Sequence, residues 1–351
     1  ELTFTSQHLP AIRQDEAYCW CPEDYKIQIS FDLQGTQFPG REYEPFSQKW
    51  EDVDKQLNKP EDELFGQHLS FNNPFKEEAK AAFTSEMTFE QKVVAAFRVL
   101  KQKLSWTGRY ELYSKDPAKV IKAGSGSNAE LNFILMASLK DYGIRSYPVV
   151  LSRRSTGMLP FNFPSLQKLN TFLVAAYNMD TQSYVYLDSS MELPALNILP
   201  LDLCVNRARL LSPNEPEEKK WVDLINLGSN VTFMNVNATV QDGQIRGHRT
   251  TQLQGQQAVE YRKQLLKQKK DSLLFTSPDA GKEKFAFKGL KVESDPYDFT
   301  QIKEEFDFMM NAENTGGRLY INPMVFPQLE RNPFIQTERI LPIEFPYPYK
   351  Y

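Results

Sequence analysis

Side chains that could perform nucleophilic or metal chemistry are scarce in this chain. Its 351 residues include only three cysteines and three histidines: Cys19, Cys21, Cys204, His8, His68 and His248. Cys19 and Cys21 are two residues apart, which is not the CxxC spacing of redox and zinc motifs. In an extended segment this spacing also gives poor disulfide geometry. The sequence therefore predicts packed thiols, no metal site and no cofactor.

Residues 124–152, GSGSNAELNFILMASLKDYGIRSYPVVLS, predict a loop, an amphipathic helix and a strand. Ser127 and Glu130 have the spacing of a capping box, and Gly143 is placed to end the helix. A thiol in the first turn of such a helix would have its pKa lowered by the helix dipole. Asn128 stands there instead, and it has no nucleophilic or ionisable atom but can cap a helix.

Two other reactive arrangements remain as alternatives. Ser125 or Ser127 could act as a nucleophile, although a serine at a Gly/Ser turn is typically a cap and no base is apparent. Glu130 and Asp188 could form a carboxylate pair for glycoside hydrolysis, but the sequence does not give their separation.

The elements around this segment predict a mixed fold. A helix is expected in TFEQKVVAAFRVLKQKLSW, where Thr88 and Gln91 form a capping box and the apolar residues recur at helical spacing. The later runs SYPVVLS, TFLVAAYNM and SYVYLDSS predict strands without another long helix between them. Helices followed by an antiparallel sheet indicate the α+β class.

The flanking regions differ from this middle part. Residues 1–74 predict a β-rich segment, with a strand through Tyr25, Ile27, Ile29 and Phe31 and a short amphipathic helix in SQKWEDVDKQL. Residues 212–351 predict a separate β-rich domain similar to a β-sandwich, with a hairpin turn at Asp242 and one basic helix. The expected boundaries are therefore 1–74, 75–211 and 212–351.

The order of the capped helix, YGIRSYPVVLS, KLNTFLVAAYN and YVYLDSSMELPALNILP resembles the transglutaminase-like superfamily, whose core is a permuted relative of the papain fold. Active members carry cysteine in a GDCKD-like turn, histidine in an FNH-like strand start and aspartate in a YLDPT-like strand end. By resemblance these positions fall on Asn128, Thr171 and Asp188, so only the aspartate is retained. Ser127, Glu130 and Asn170 are the expected neighbours of the cleft.

The resemblance implies a catalytically inactive core that serves as a binding or assembly module of the bacterial cell envelope. The alternative is a cysteine peptidase or transamidase that uses displaced residues, and these two hypotheses differ in whether a thiol lies within reach of an imidazole. The expected partner is a protein, peptide or glycan. The flanks resemble a bacterial branch whose members are exported to the periplasm, and the first and last residues suggest cutting from a longer precursor.

Composition excludes other classes of partner. The formal net charge of -4 and the pI of about 5.7 give no electrostatic case for nucleic-acid binding. No run approaches the roughly 18 apolar residues that predict a membrane-spanning helix.

Overall fold

The structure, a computed structural model, describes the chain apart from residues 1, 2, 4, 10, 13–15, 17, 30–34, 46–48, 115, 163, 268–284, 323, 327–331, 333 and 335–337. It combines helices with antiparallel sheets, as the α+β prediction requires. The boundaries proposed at residues 74/75 and 211/212 stay a prediction.

The central part is a helical layer packed on a five-stranded antiparallel sheet. Its helices are α1 (Trp50–Leu57), α2 (Lys76–Ala82), α3 (Phe89–Lys103), α4 (Pro117–Ala123) and α5 (Asn128–Asp141). Its strands are β3 (Ser105–Trp106), β4 (Ser125–Gly126), β5 (Ser146–Leu151), β6 (Thr171–Asn178), β7 (Ser183–Leu187), β8 (Ala208–Leu210) and β9 (Trp221–Val222), after β1 (Gly35–Thr36) and β2 (Glu44–Pro45) nearer the N-terminus. The sheet order is β7-β6-β5-β8-β9, and β3 pairs with β4 in a separate parallel ladder.

Helix α5 is the centre of the core. The predicted capping box forms, with Ser127 as the N-cap and Glu130 at the third helical position, and Gly143 adopts φ +73° just beyond the helix end. Phe133 on α5 lies 4.8 Å from Phe172 on β6, measured between ring centroids, and both side chains are buried. Each such ring contributes roughly 1.5–3 kcal/mol by leaving water. This packing holds the start of α5 against the start of β6.

Helix α1 attaches to the same core. Asp54 accepts two hydrogen bonds from the guanidinium of Arg209 on β8, and Arg209 lies over the ring of Trp221 with 5.1 Å to the centroid. Trp50 packs edge-on against Trp221 at 5.1 Å. A fully buried arginine thereby connects residues that are far apart in sequence.

The β-rich prediction for the N-terminal segment is only partly matched. Residues Pro22–Tyr25 form a 3-10 turn, and Ile27 and Ile29 are exposed outside any strand. Alternation alone does not make a strand when no neighbouring strand accepts its hydrogen bonds. Phe31 lies outside the described residues. The segment instead contacts the end of the chain, where Glu344 accepts hydrogen bonds from the backbone N–H of Trp20 and the hydroxyl of Tyr25.

The C-terminal part is built on one long antiparallel sheet. Its elements are β10 (Val231–Gln241), β11 (Gln244–Gln254), α6 (Gln256–Lys267), β12 (Ala286–Glu293), β13 (Gln301–Asn311), β14 (Glu313–Thr315) and β15 (Arg318–Tyr320). The sheet order is β10-β11-β13-β12. Asp242 and Gly243 both have positive φ, 52° and 73°, and close the predicted hairpin between β10 and β11.

The sandwich predicted for this part is wrong within the described residues. The four long strands form one sheet, and no second sheet of comparable length faces it there. Helix α6 packs Ala258 and Tyr261 against Leu253 and Ile302 of the sheet. Helix α6 and aromatic side chains such as Phe326 bury part of the apolar surface of the sheet without a second sheet, while Phe233 on β10 stays 58% exposed.

Candidate functional site

The first turn of α5 is organised by Ser127 rather than Asn128. The Ser127 hydroxyl accepts the backbone N–H of Glu130 at 3.4 Å, and the Glu130 carboxylate accepts the backbone N–H of Ser127 at 2.9 Å. Asn128 is therefore the first residue of the helix and not its cap, which corrects the expectation from sequence. Its side chain is left to point toward the sheet.

The structure brings Asn128, Thr171 and Asp188 together. The Asn128 amide nitrogen donates to Thr171 Oγ1 at 2.7 Å and to Asp188 Oδ2 at 3.3 Å, and it also contacts the Phe172 carbonyl at 3.1 Å. The Asn128 amide oxygen accepts the backbone N–H of Glu111 at 2.9 Å. Both ends of the amide thus have partners, as a buried polar group requires.

Asn132 is a fourth member of this cluster that the sequence analysis missed. Its amide nitrogen donates to Asp188 Oδ2 at 2.9 Å and to the Phe172 carbonyl at 2.8 Å. Its amide oxygen accepts the backbone N–H of Ser189 at 2.9 Å. The signal in the sequence is its position four residues after Asn128, on the same face of the helix and among the apolar residues Leu131, Phe133 and Ile134.

Asp188 is enclosed by these donors. Besides the two asparagines, the backbone N–H of Ser190 donates to Asp188 Oδ1 at 2.9 Å. Burial raises the pKa of Asp188, and the hydrogen bonds from Ser190, Asn132 and Asn128 oppose that increase.

Lys101 on α3 lies close to the same turn and donates a hydrogen bond to the Ser189 carbonyl at 3.1 Å. Burial lowers the pKa of Lys101, and the charge of Asp188 acts in the opposite direction.

The cluster has no access to solvent. Asn128, Asn132, Thr171 and Asp188 are each 0% exposed. The chain at residues 109–111 covers the start of α5, since the Asn128 backbone N–H donates to the Arg109 carbonyl at 3.1 Å. A ligand could reach these side chains only if this cover moved.

The residues expected beside a cleft are divided between the interior and a surface pocket. Glu130 and Asn170 line a pocket of about 560 Å³ together with Glu111 and Tyr113. Ser127 is fully buried. The pocket therefore lies next to the cluster but is separated from it.

Cys204 is poorly suited to act as a nucleophile. Its sulfur lies 3.6 Å from the Pro200 carbonyl and 3.9 Å from the Leu199 carbonyl. Burial raises the pKa of its thiol to about 12, so almost no thiolate exists near neutral pH. The imidazoles of His68 and His248 are engaged elsewhere, with the Ser114 carbonyl and the Asp307 carboxylate.

A larger pocket of about 890 Å³ lies between the central part and α6. One wall carries Lys101 from α3, Trp106 from β3 and Tyr110, and the other carries Gln257 and Glu260 from α6. Lys101 links this pocket to the buried cluster through its hydrogen bond to Ser189.

Two further features bear on the class of site. Within the described ranges, no group of three or more histidine, cysteine, aspartate or glutamate side chains is arranged to hold a metal ion. The helices in those ranges also lack the length and apolarity that crossing a bilayer requires.

Comparisons with known proteins give little guidance. No family model matches the chain, and no curated protein matches its sequence. Among solved structures, the chain is similar to a putative protease from Parabacteroides distasonis, with a TM-score of 0.32 and 13% sequence identity. The match covers 70% of this chain and 51% of the other, so the chain spans about half the length of that protein. A TM-score this low assigns neither a fold family nor an activity.

Proposed function

We propose that this chain is a catalytically inactive, transglutaminase-like protein of the bacterial cell envelope that acts as a binding or assembly module. Its three parts are the N-terminal segment of residues 1–74, the core of residues 75–211 and the C-terminal domain of residues 212–351. The assignment to the superfamily and to the envelope, periplasmic or otherwise exported, rests on the order of the sequence motifs.

The observation that carries the loss of catalysis is the hydrogen bonding of Asn128. Acyl transfer through a covalent intermediate needs a nucleophile and a base within hydrogen-bond reach of it. Asn128 supplies no nucleophile, and its amide donates to Thr171, whose hydroxyl cannot act as a base near neutral pH. The fully buried position also restricts a substrate to states in which the covering residues 109–111 have moved, so any turnover at this site would be slow.

The same contacts give the cluster a structural role. Asn128 joins α5 to residue Glu111, to the start of β6 and to the turn after β7. Hydrogen bonds of this kind, fully satisfied in a low-dielectric interior, rigidify the elements that they connect. The sites of nucleophile and base have become a fixed polar centre on which a binding surface can be built.

The experiment assays hydrolysis of a fluorogenic peptide and transfer of a fluorescent primary amine to a glutamine peptide. The parent, Asn128→Ala, Asn128→Cys and the double variant Asn128→Cys with Thr171→His are compared, and thermal unfolding verifies that each is folded. We expect no turnover from the parent or either single variant. Slow turnover is expected only from the double variant, because nucleophile, base and Asp188 are then all present.

Robust turnover by the parent would contradict the proposal if it survives removal of contaminating proteases. It would instead support the alternative that the chain is a cysteine peptidase or transamidase that uses displaced residues. The double variant tests a different point: turnover there supports the assignment of Asn128 and Thr171 to the nucleophile and base positions. Equal absence of turnover in a folded double variant would count against that assignment without making the parent an enzyme.

A further inference from the structure

The pocket of about 890 Å³ has the walls of a ligand site rather than of a packing defect. Small-molecule sites measure roughly 300–1,000 Å³ and combine apolar surface with a few convergent polar groups. Trp106 and Tyr110 form a tilted aromatic pair with centroids 5.0 Å apart on one wall. Gln257, Glu260 and Gln264 face them from α6, at a spacing of three and four residues that places them on one side of that helix.

Lys101 and Lys263 are partly buried cations that line the pocket, and Lys101 is the one without a salt bridge among the described residues. An ammonium has three donors, and the contact with the Ser189 carbonyl uses one. Among the described residues no carboxylate forms a salt bridge with Lys101, whereas Glu260 lies 3.8 Å from Lys263 and Glu192 lies 3.8 Å from Lys267. The two acidic side chains at the pocket thus lie nearest to other lysines, although the charge of Glu192 also acts on Lys101 and raises its pKa against the effect of burial.

Asp188 does not compensate Lys101 by direct contact either. Its carboxylate oxygens accept hydrogen bonds from the side chains of Asn128 and Asn132 and from the backbone N–H of Ser190. Lys101 reaches only the intervening Ser189 carbonyl. A cation held in this way, with donors left over, favours an anionic oxygen from a ligand.

We propose that this pocket binds an acidic saccharide, with the sugar carboxylate on the ammonium of Lys101 and a sugar ring against Trp106 and Tyr110. Rings of this kind present apolar C–H faces to aromatic side chains and hydroxyl groups to amides and carboxylates, which are the groups that α6 supplies. The inference deepens the proposed binding function and rests on it, but it does not depend on the loss of catalysis.

The geometry favours a saccharide over a peptide. Peptides that bind by adding a strand need an exposed sheet edge. The pocket is lined by residues of α3, β3, α6 and the turns at Ser190 and Pro200, and its strand β3 is only two residues long and already paired with β4. The polar side chains that line the pocket from α6, Gln257, Glu260 and Gln264, suit a ring bearing hydroxyl groups.

The test is calorimetric titration of the full chain with three probes: trigalacturonic acid, its fully methyl-esterified form and N-acetyl-trialanine. The ester keeps the rings but removes the charge, and the peptide keeps a carboxylate without a ring. We expect the acid to bind at least about tenfold more tightly than either of the others. Its affinity should also weaken as salt is added, since the contact is ionic.

Lys101→Met should weaken binding of the acid at least about tenfold, whereas Lys103→Met, which removes a lysine of the same helix that pairs with Glu78 and does not line the pocket, should change it less than about threefold. Trp106→Leu provides a second variant if Lys101→Met does not fold, and it should weaken the binding of trigalacturonic acid by a similar factor. Thermal unfolding identifies misfolded variants.

Three results would overturn the proposal: no binding of trigalacturonic acid up to about 5 mM, equal binding of the ester or the peptide, or equal binding by folded Lys101→Met and the parent. Each of these leaves the inactivity of the core untouched, because that is measured separately by turnover. Conversely, turnover by the parent with normal binding would contradict the proposed function and leave this site standing.

Discussion

The amide nitrogen of Asn132 donates to Asp188 Oδ2 at 2.9 Å, in the fully buried interior between α5 and the turn after β7. The amide oxygen of the same side chain accepts the Ser189 backbone N–H. One asparagine therefore satisfies both a buried carboxylate and a buried backbone donor. Asp188 also accepts a hydrogen bond from the Asn128 amide. The position that resembles a catalytic aspartate is therefore held by two side-chain amides from one face of α5.

Asn132→Ala should lower the free energy of unfolding by roughly 2–4 kcal/mol. The change leaves the Ser189 N–H without its acceptor and removes a donor from Asp188, and an unsatisfied buried group costs about 1–3 kcal/mol. Urea unfolding measures the loss. Asn237→Ala is the matched control, since Asn237 is exposed on β10 and should cost less than about 0.5 kcal/mol. Similar losses from the two variants would show that the cluster adds little stability.

The charge state of Asp188 should make stability depend on pH in a defined direction. Burial raises its pKa above 3.8 in the folded chain. A carboxyl group whose pKa is higher in the folded than in the unfolded state makes its full contribution to folding stability at pH values below its unfolded-state pKa. That contribution is lost as the pH rises through the folded-state pKa. The unfolding free energy of the parent minus that of Asp188→Asn should therefore be largest below pH 3.8 and decrease above it.

Urea unfolding of both proteins at a series of pH values measures this difference. Subtracting the variant cancels the titration of the other carboxyl groups to the extent that they are unchanged. A difference that increases with pH would mean that hydrogen bonding outweighs burial at Asp188, so that its folded pKa is depressed.

The parts of the fold that could be predicted from sequence are those set by local interactions. The capping boxes at Thr88 and Ser127 and the hairpin at Asp242 need only neighbours within a few residues, and all three form as expected. The strand expected through Ile27 and Ile29 is absent, because a strand needs a distant partner that the local pattern does not specify.

The candidate site divides in the same way. The positions Asn128, Thr171 and Asp188 could be named from motif order, and they do lie together. Asn132 was missed because its partners are 40 and 56 residues away in sequence. The cover formed by residues 109–111 also has no local signal, since the contact between Asn128 and Glu111 arises only when the chain folds back.

Cys204 should react slowly with iodoacetamide in the folded protein at pH 8. Its thiol is buried and its pKa is raised to about 12, so the reactive thiolate is rare. Cys19 and Cys21 are partly exposed and should be labelled first, and they serve as internal controls. Mass spectrometry of peptides follows each site, and in urea all three should react at similar rates. Rapid labelling of Cys204 in the folded state, with loss of a hydrolytic activity, would support the displaced-residue enzyme.

Arg209→Met should be among the most destabilising single changes in the chain. It removes the bidentate partner of Asp54, so that among the described residues Lys220, at 3.1 Å, is the cation left beside this buried carboxylate. Breaking a buried pair typically costs about 3–5 kcal/mol. The double variant Arg209→Met with Asp54→Leu should recover part of this loss, because the buried carboxylate is then removed together with its partner, while Lys220 keeps Glu217 at 4.0 Å.

A double-mutant cycle by urea unfolding isolates the coupling between Arg209 and Asp54. The matched control is the cycle for Lys303 and Glu293, an ion pair of 3.3 Å on the surface of the C-terminal sheet, where we expect coupling below about 1 kcal/mol. Equal coupling in the two cycles would mean that Trp50 and Trp221, rather than the charge pair, hold α1 on the core. In that case Trp221→Leu, which removes the ring under the guanidinium, should destabilise the chain as much as Arg209→Met.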